Sequence, residues 1–235
     1  MLGITKRPIA KEAFFGGRAL ICYTFRMVIT YHGGEFFKVS HGDITLAFNP
    51  ISKDSKLKGN RFGADIVLVS ANHPDFNGVS EVAYGDRVPF EVSGPGEYEI
   101  KDVFIRGFAT KTEYGDATIN TVYFVELEGM KLLFVGAASE KALSLEGREH
   151  VDDIDVLFIP IGGEGVLSPD EAHSLSIELE SKIIIPMHYG NVGMEKALDF
   201  FMKEEGKATP KAEEKLTIKR KDLEGKSGEI VILQA

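Results

Sequence analysis

"ADIVLVSANHPDFNG", Ala64–Gly78, is the stretch on which the reading of this chain turns. From Ile66 to Ser70 it is an almost unbroken apolar run of strand length, and directly behind it a short polar segment carries one histidine, His73, and one aspartate, Asp75. An apolar run without alternation suits a strand covered on both faces. Polar groups just past the end of such a strand stand where ligands usually collect. The arrangement recurs in "LLFVGAAS" (Leu132–Ser139) and in "IIIPMHYG" (Ile183–Gly190), which delivers His188.

Outward from these stretches the chain is a series of short apolar strands separated by turns such as "HGD", "EGM" and "EGK". Strands are expected over 28–31, 36–39, 44–48, 66–70, 90–92, 98–108, 121–127, 131–135, 156–160, 182–186, 216–219 and 230–233. Two helices interrupt them. "LSPDEAHSLSIELE" offers Ser168 as N-cap, Pro169 at the first helical position and Glu171 three residues after the cap, a capping box. "GMEKALDFFMKEEGK" places Met194, Leu198, Phe201 and Met202 at helical spacing and stops at Gly206. This pattern predicts one compact domain over 27–235, with two sheets packed face to face and helices outside. The first 26 residues are basic in an otherwise acidic chain, and the expectation is an extension outside the fold.

Of the 235 residues, 43% are hydrophobic and 27% charged, the profile of a globular protein rather than a disordered one. A net charge of -9 argues against sequence-independent nucleic-acid binding, which draws on lysine and arginine to neutralise phosphates. The single cysteine, Cys22, can form neither an internal disulfide nor a thiolate cluster, so a metal would have nitrogen and oxygen ligands. A reducing, cytoplasmic setting is expected, and no apolar run reaches the roughly 18 residues of a membrane span. No G-x-S-x-G or similarly activated nucleophile is present. The glycines of "IGGEG" (Ile161–Gly165) could cradle an anion on backbone amides.

"VITYHGGEFFKV", "TLAFNP", "ADIVLVS", "GPGEYEI", "INTVYFVELEGMKLLFVG", "DDIDVLFIPIGG", "EAHSL" and "KIIIPMHYG" occur in the order of a known family. The chain resembles the metallo-β-lactamase fold, and most of all its ascorbate-6-phosphate lactonase-type hydrolases, from Met27 to the end. The resemblance implies an α/β, four-layer αββα sandwich of two packed mixed sheets flanked by helices. It also implies a T-H-x-H-x-D-H motif, a third histidine, a bridging aspartate after a glycine, and a last histidine near I-P-M-H-Y, together feeding two metals.

Laid on this sequence, the motif falls on Ser70, Ala71, Asn72, His73, Pro74, Asp75 and Phe76, so two of its histidines are replaced. Ala137 stands at the bridging aspartate, no histidine lies between His73 and His150, and His188 keeps the last position. Where relatives often carry L-G-H-S this chain has "HGGE", with Gly34 at the histidine and His32 two residues away as a conceivable substitute; Asn49 replaces an aspartate. Zinc takes three protein ligands in a catalytic site and four in a structural one. The survivors give one ligand for the first metal and two for the second, too few for the dinuclear centre that activates water.

The resulting expectation is a hydrolase-like protein with an eroded dinuclear site, catalytically impaired, retaining a cleft for a ligand or partner. A small anionic ligand is one candidate. The alternative is an active metal-dependent hydrolase acting on a phosphoester, lactone or nucleic acid. It would hold a single zinc, manganese or iron ion on His73, Asp75 and His188, with Asp75 and His188 catalytic. A structural or assembly role is a third possibility, with no partner named. Plain structural roles are also open: Asp75 as a turn residue, His73 as a satisfied loop histidine, His188 as an anchor of its turn. His41, His150 and His173 read as exposed or helical, and Glu97 as the acid of "GPGEYEI" nearest the cleft.

Overall fold

A computed structural model describes residues 10–15, 18–23, 26–141 and 151–235, the first two segments through their backbone alone. Those two segments, β1 (Ala10–Phe15) and β2 (Arg18–Tyr23), pair antiparallel as a two-stranded sheet that joins neither of the larger ones. Residues 1–9, 16–17 and 24–25 of the basic extension, and His150, lie outside the described residues.

The six-stranded sheet contains β3 (Met27–Tyr31), β4 (Phe37–His41), β5 (Ile44–Phe48), β6 (Ile66–Leu68) and β7 (Phe90–Val92). The seven-stranded sheet contains β8 (Gly96–Ile100), β9 (Val103–Lys111), β10 (Ile119–Leu127), β11 (Met130–Phe134), β12 (Val156–Pro160) and β13 (Ile183–Met187). β14 (Leu216–Ile218) adds to the first sheet beside β3, and β15 (Glu229–Ile230) to the second beside β13. Both sheets are mixed. β5, β6 and β7 run parallel in one and β11, β12, β13 and β15 in the other, while the remaining pairs are antiparallel.

The unbroken apolar runs are explained by burial on both sides. Ile66 and Leu68 face the space between the sheets, where they meet Phe37, Phe48, Phe134 and Phe158, while Val67 and Val69 face outward against Ile51, Ala64 and Val82. Strands β12 and β13 behave alike, with Phe158 and Ile185 inward and Leu157, Ile159 and Ile184 outward. Fully burying one such side chain contributes about 1.5–3 kcal/mol, so the inter-sheet layer is the main source of stability.

The outer face of the seven-stranded sheet is covered by α1 (Pro169–Leu179) and α2 (Ala197–Glu204) through Ala172, Leu175, Phe201 and Met202. Helix α1 starts as its sequence requires: Glu171 accepts the Ser168 N–H at 3.0 Å. Helix α2 is shorter than its apolar spacing implied. Met194 lies ahead of it, because Lys196 takes a left-handed φ of 63° and the helix begins at Ala197; Gly206, at φ 64°, follows its end. Over the six-stranded sheet the outer cover is the 51–64 loop and a 3-10 turn, Val79–Val82.

The single strand expected over 98–108 is two. β8 and β9 form a hairpin whose turn residues, Lys101 and Asp102, have φ of 53° and 61°. Two successive positive φ values are the signature of the tight turn that matches strand twist, here built without glycine or asparagine.

Candidate functional site

Parallel strands deliver their C-terminal ends to one rim. Asn49 follows β5, Ser70 and Ala71 follow β6, Ala137 follows β11, Gly162 follows β12 and His188 follows β13. The sheets are joined directly at this rim: Thr121 N–H donates to Ser70 O at 2.7 Å, and the Tyr123 hydroxyl donates to Val69 O at 2.7 Å.

His188 is 1% exposed and takes a left-handed φ of 60°, its N–H donating to Gly34 O at 2.8 Å. Its Nδ1 lies 2.8 Å from Oε1 of Glu35, which is fully buried. An ionised carboxylate can only accept, which assigns a proton to Nδ1; in the neutral imidazole Nε2 is then a lone pair. Nε2 is buried and has no hydrogen-bond partner among the described residues. Glu35 Oε2 accepts from Asn49 Nδ2 at 2.8 Å, the same nitrogen donates to Ser70 Oγ at 2.8 Å, and Asn49 Oδ1 accepts the Ser70 N–H at 2.8 Å. One connected polar floor results. Beside it the buried amide of Asn120 accepts the Ala137 N–H at 2.9 Å and donates to Val135 O at 2.9 Å.

Gly162 and Gly136 are required by contact. A Cβ at Gly162 would sit 2.2 Å from His188 O and 2.6 Å from its Cδ2, and one at Gly136 would meet Ser70 Cβ at 2.5 Å. The "IGGEG" stretch therefore serves close packing, with Gly165 O accepting the Glu113 N–H at 3.2 Å.

The three residues expected to share a metal are neighbours, but another side chain stands among them. The Tyr114 ring lies 4.9 Å from that of His73, 4.9 Å from that of His188 and 5.1 Å from that of Phe76. Its hydroxyl donates to Asp75 Oδ2 at 2.7 Å, and Ser55 Oγ donates to Asp75 Oδ1, so both carboxylate oxygens are engaged. Burial, with the bond to Asp75, raises the Tyr114 hydroxyl well above the ordinary phenol range. His73 Nδ1 accepts the Asp75 N–H at 3.2 Å. That bond puts the imidazole proton on Nε2, the wrong tautomer for offering that nitrogen to a cation. The positions of the two replaced histidines and the bridging carboxylate form an apolar cluster of Ala71, Phe76, Ala137 and Val166, against which Tyr114 packs.

A divalent cation does not fit this donor set. One imidazole presents a free lone pair, the other presents a proton, and the carboxylate is occupied. Among the described residues no group of three or more His, Cys, Asp or Glu side chains is placed to hold a metal ion.

Other expected residues lie elsewhere. The His32 ring packs against Phe36 and Phe62 on the outer side of the six-stranded sheet, its Nδ1 bonded to Asn60 at 2.8 Å. Burial first, and Lys38 second, lower its pKa from 6.5 to about 4. It does not replace the histidine missing at Gly34. Glu97 pairs with Arg106 at 2.7 Å on the surface instead of entering the cleft. His173 joins α1 to the residue capping α2, its Nδ1 2.9 Å from Glu205 Oε1. Sequence reasoning missed Glu35, Asn120 and Tyr114. A carboxylate between two glycines and two phenylalanines in "GGEFF" was the available signal for Glu35.

Comparison with known proteins agrees with this architecture. A family model described as a beta-lactamase superfamily domain matches residues 28–188. A UPF0173 metal-dependent hydrolase of Bacillus licheniformis is 24% identical over 195 residues, covering 69% of this chain and 85% of the relative. A crystal structure of a Thermotoga maritima protein of the metallo-beta-lactamase superfamily superposes with a TM-score of 0.61 at 24% identity, over 88% of this chain and 98% of the other. Igni18, a metallo hydrolase of Ignicoccus hospitalis, gives 0.58 at 18% identity over 83% and 99%. Two mixed sheets with the C-terminal ends of their parallel strands on a common rim, matched by a family model over most of the length, have one assignment: the chain belongs to the beta-lactamase superfamily and has the metallo-β-lactamase fold.

Proposed function

We propose that this protein is a catalytically impaired member of the superfamily whose dinuclear metal site has eroded, and that the former reaction cleft serves to bind a ligand. The observation that carries this reading is the position of Tyr114. Its hydroxyl holds Asp75, whose other oxygen is held by Ser55, and its ring packs between His188 and His73, so the space between the three surviving ligand residues is filled by the chain itself. Loss of a bridging carboxylate at Ala137 removes the charge that would hold two dications close together, and with it two-metal activation of water.

The test is metal content by elemental analysis on protein purified without chelator from zinc-, manganese- and iron-supplemented cultures. Phosphodiesterase and lactonase assays with each metal added accompany it. Fewer than one metal per chain and no metal-dependent turnover support the proposal. Two metals per chain with turnover overturn it.

A second reading is favoured by one feature: the buried lone pair of His188 Nε2, with Nδ1 steered by Glu35, is the arrangement that orients metal-ligating histidines. On that reading the chain is a hydrolase with a single metal on His73, Asp75 and His188. The relatives named metal-dependent hydrolases support a hydrolytic reaction, and a phosphoester, lactone or nucleic acid is the substrate this second reading carries. It requires Tyr114 to leave and His73 to exchange tautomers.

A further inference from the structure

We propose that the cleft is a binding site for small neutral aryl hydroxyl compounds, and that Tyr114 is its resident occupant, which such a ligand displaces. The inference rests on the ligand-binding reading given above and names the ligand class. It is read from how the phenol of Tyr114 is held.

The ring sits edge-to-face with two imidazoles, at 76° to His73 and 88° to His188, and is tilted at 42° on Phe76. The hydroxyl meets a carboxylate oxygen at 2.7 Å. That carboxylate is fixed on its other oxygen by Ser55 and sits on a loop tied by Ser52 N–H to Pro74 O at 2.8 Å. Three rings around a ring, with a prepositioned acceptor at its para end, are the elements of a phenol site. Among the described residues the acids acting on the Tyr114 hydroxyl are Asp75, Glu35 and Glu164, and the first two are committed as acceptors. A ligand bearing a hydroxyl donor suits them and an anion does not.

The occupant is held less firmly than the floor. The backbone bonds of its loop are long: Thr112 N–H to Thr118 O at 3.4 Å, Glu113 N–H to Gly165 O at 3.2 Å and Ala117 N–H to Tyr114 O at 3.2 Å. Across the floor the corresponding bonds are 2.7–2.9 Å. Gly115, at φ 57°, lets the loop lie on His73, since a Cβ there would be 2.8 Å from the imidazole. Outward movement of this segment removes the phenol and leaves its cage of His73, Asp75, Phe76 and His188 behind.

The test uses the full chain carrying Tyr114→Ala, with phenol as probe and toluene, which lacks the hydroxyl, as control; binding is followed by calorimetry and by thermal shift. The expected result is saturable binding of phenol, about 10- to 100-fold tighter than toluene for a hydrogen bond to a charged acceptor. Binding to the unsubstituted protein should be weaker, because there phenol competes with a tethered copy of itself. Equal affinity for phenol and toluene, equal phenol affinity in variant and parent, or no saturable phenol binding to the unsubstituted protein, overturns the proposal. Should the variant not fold alone, recovery of the native circular dichroism on refolding with phenol but not with toluene supports it, and absence of recovery overturns it. Metal content judges the underlying reading separately, so either can fail while the other stands.

Discussion

Replacing Glu35 by alanine is the most informative perturbation of the floor. The Glu35 side chain is fully buried and accepts two hydrogen bonds of 2.8 Å, from His188 Nδ1 and Asn49 Nδ2. A hydrogen bond to a charged group contributes about 1.5–3 kcal/mol, and leaving a buried donor unsatisfied costs about 1–3 kcal/mol. Asn49 keeps Ser70 as a partner, whereas His188 loses its only side-chain bond among the described residues, where Nε2 is already unpartnered. Glu35→Ala should therefore cost about 4 kcal/mol, lowering Tm by roughly 8–16 °C in a domain of this size. Urea denaturation measures it, with the midpoint falling at unchanged slope. Glu35→Gln is the control, because glutamine can accept from Asn49 and donate to Nδ1 if the imidazole moves its proton to Nε2. It should cost only about 1–2 kcal/mol, and nitrogen-15 NMR should show that tautomer change at His188. Destabilisation of Glu35→Ala below about 1 kcal/mol, or an unchanged His188 tautomer in Glu35→Gln, would refute the account of the floor.

Treatment with a strong chelator should leave Tm unchanged, since a protein stabilised by bound metal loses that stabilisation when the metal is removed. Ala137→Asp places a carboxylate at a fully buried position beside Phe76 and Val166 and should destabilise by about 3 kcal/mol or more, read by urea midpoint. Gly136→Ala combines a left-handed φ of 63° with a 2.5 Å approach to Ser70 Cβ and should cost about 2–3 kcal/mol by the same assay. His32, with its folded pKa lowered to about 4, is held neutral by the fold, so its contribution is complete above pH 6.5 and is lost as the pH falls from there through 4. His32→Gln should flatten stability against pH across that window relative to the parent; parallel profiles would show that His32 does not titrate this way.

The fold was readable in the sequence where burial acts through local pattern. Ile66–Leu68 and Ile183–Met187 are apolar throughout because both faces are covered, and the Ser168–Glu171 cap declares α1 within four residues. The β8–β9 turn was not readable, because Lys101 and Asp102 adopt left-handed conformations that pairing of the two strands imposes. In the cleft, the replaced positions 71, 76 and 137 could be located from motif order, and the structure gathers them in one apolar cluster. What fills the space could not. Glu35 meets His188 across 153 residues of chain, and Tyr114 comes from a charged loop, "KTEYGDA", that reads as plain surface. Long-range partners of this kind leave no periodicity behind.

The direct joining of the sheets at the rim, Thr121 to Ser70 and Tyr123 to Val69, gives the scaffold a form of tolerance. Because peptide groups and a phenol hold the mouth together, a coordinating side chain can be exchanged for alanine or phenylalanine without the walls separating. Mutational drift inside the mouth is thereby uncoupled from survival of the fold. That freedom makes this architecture suitable starting material for selecting receptors or new reactions by randomising positions 71, 76, 114 and 137.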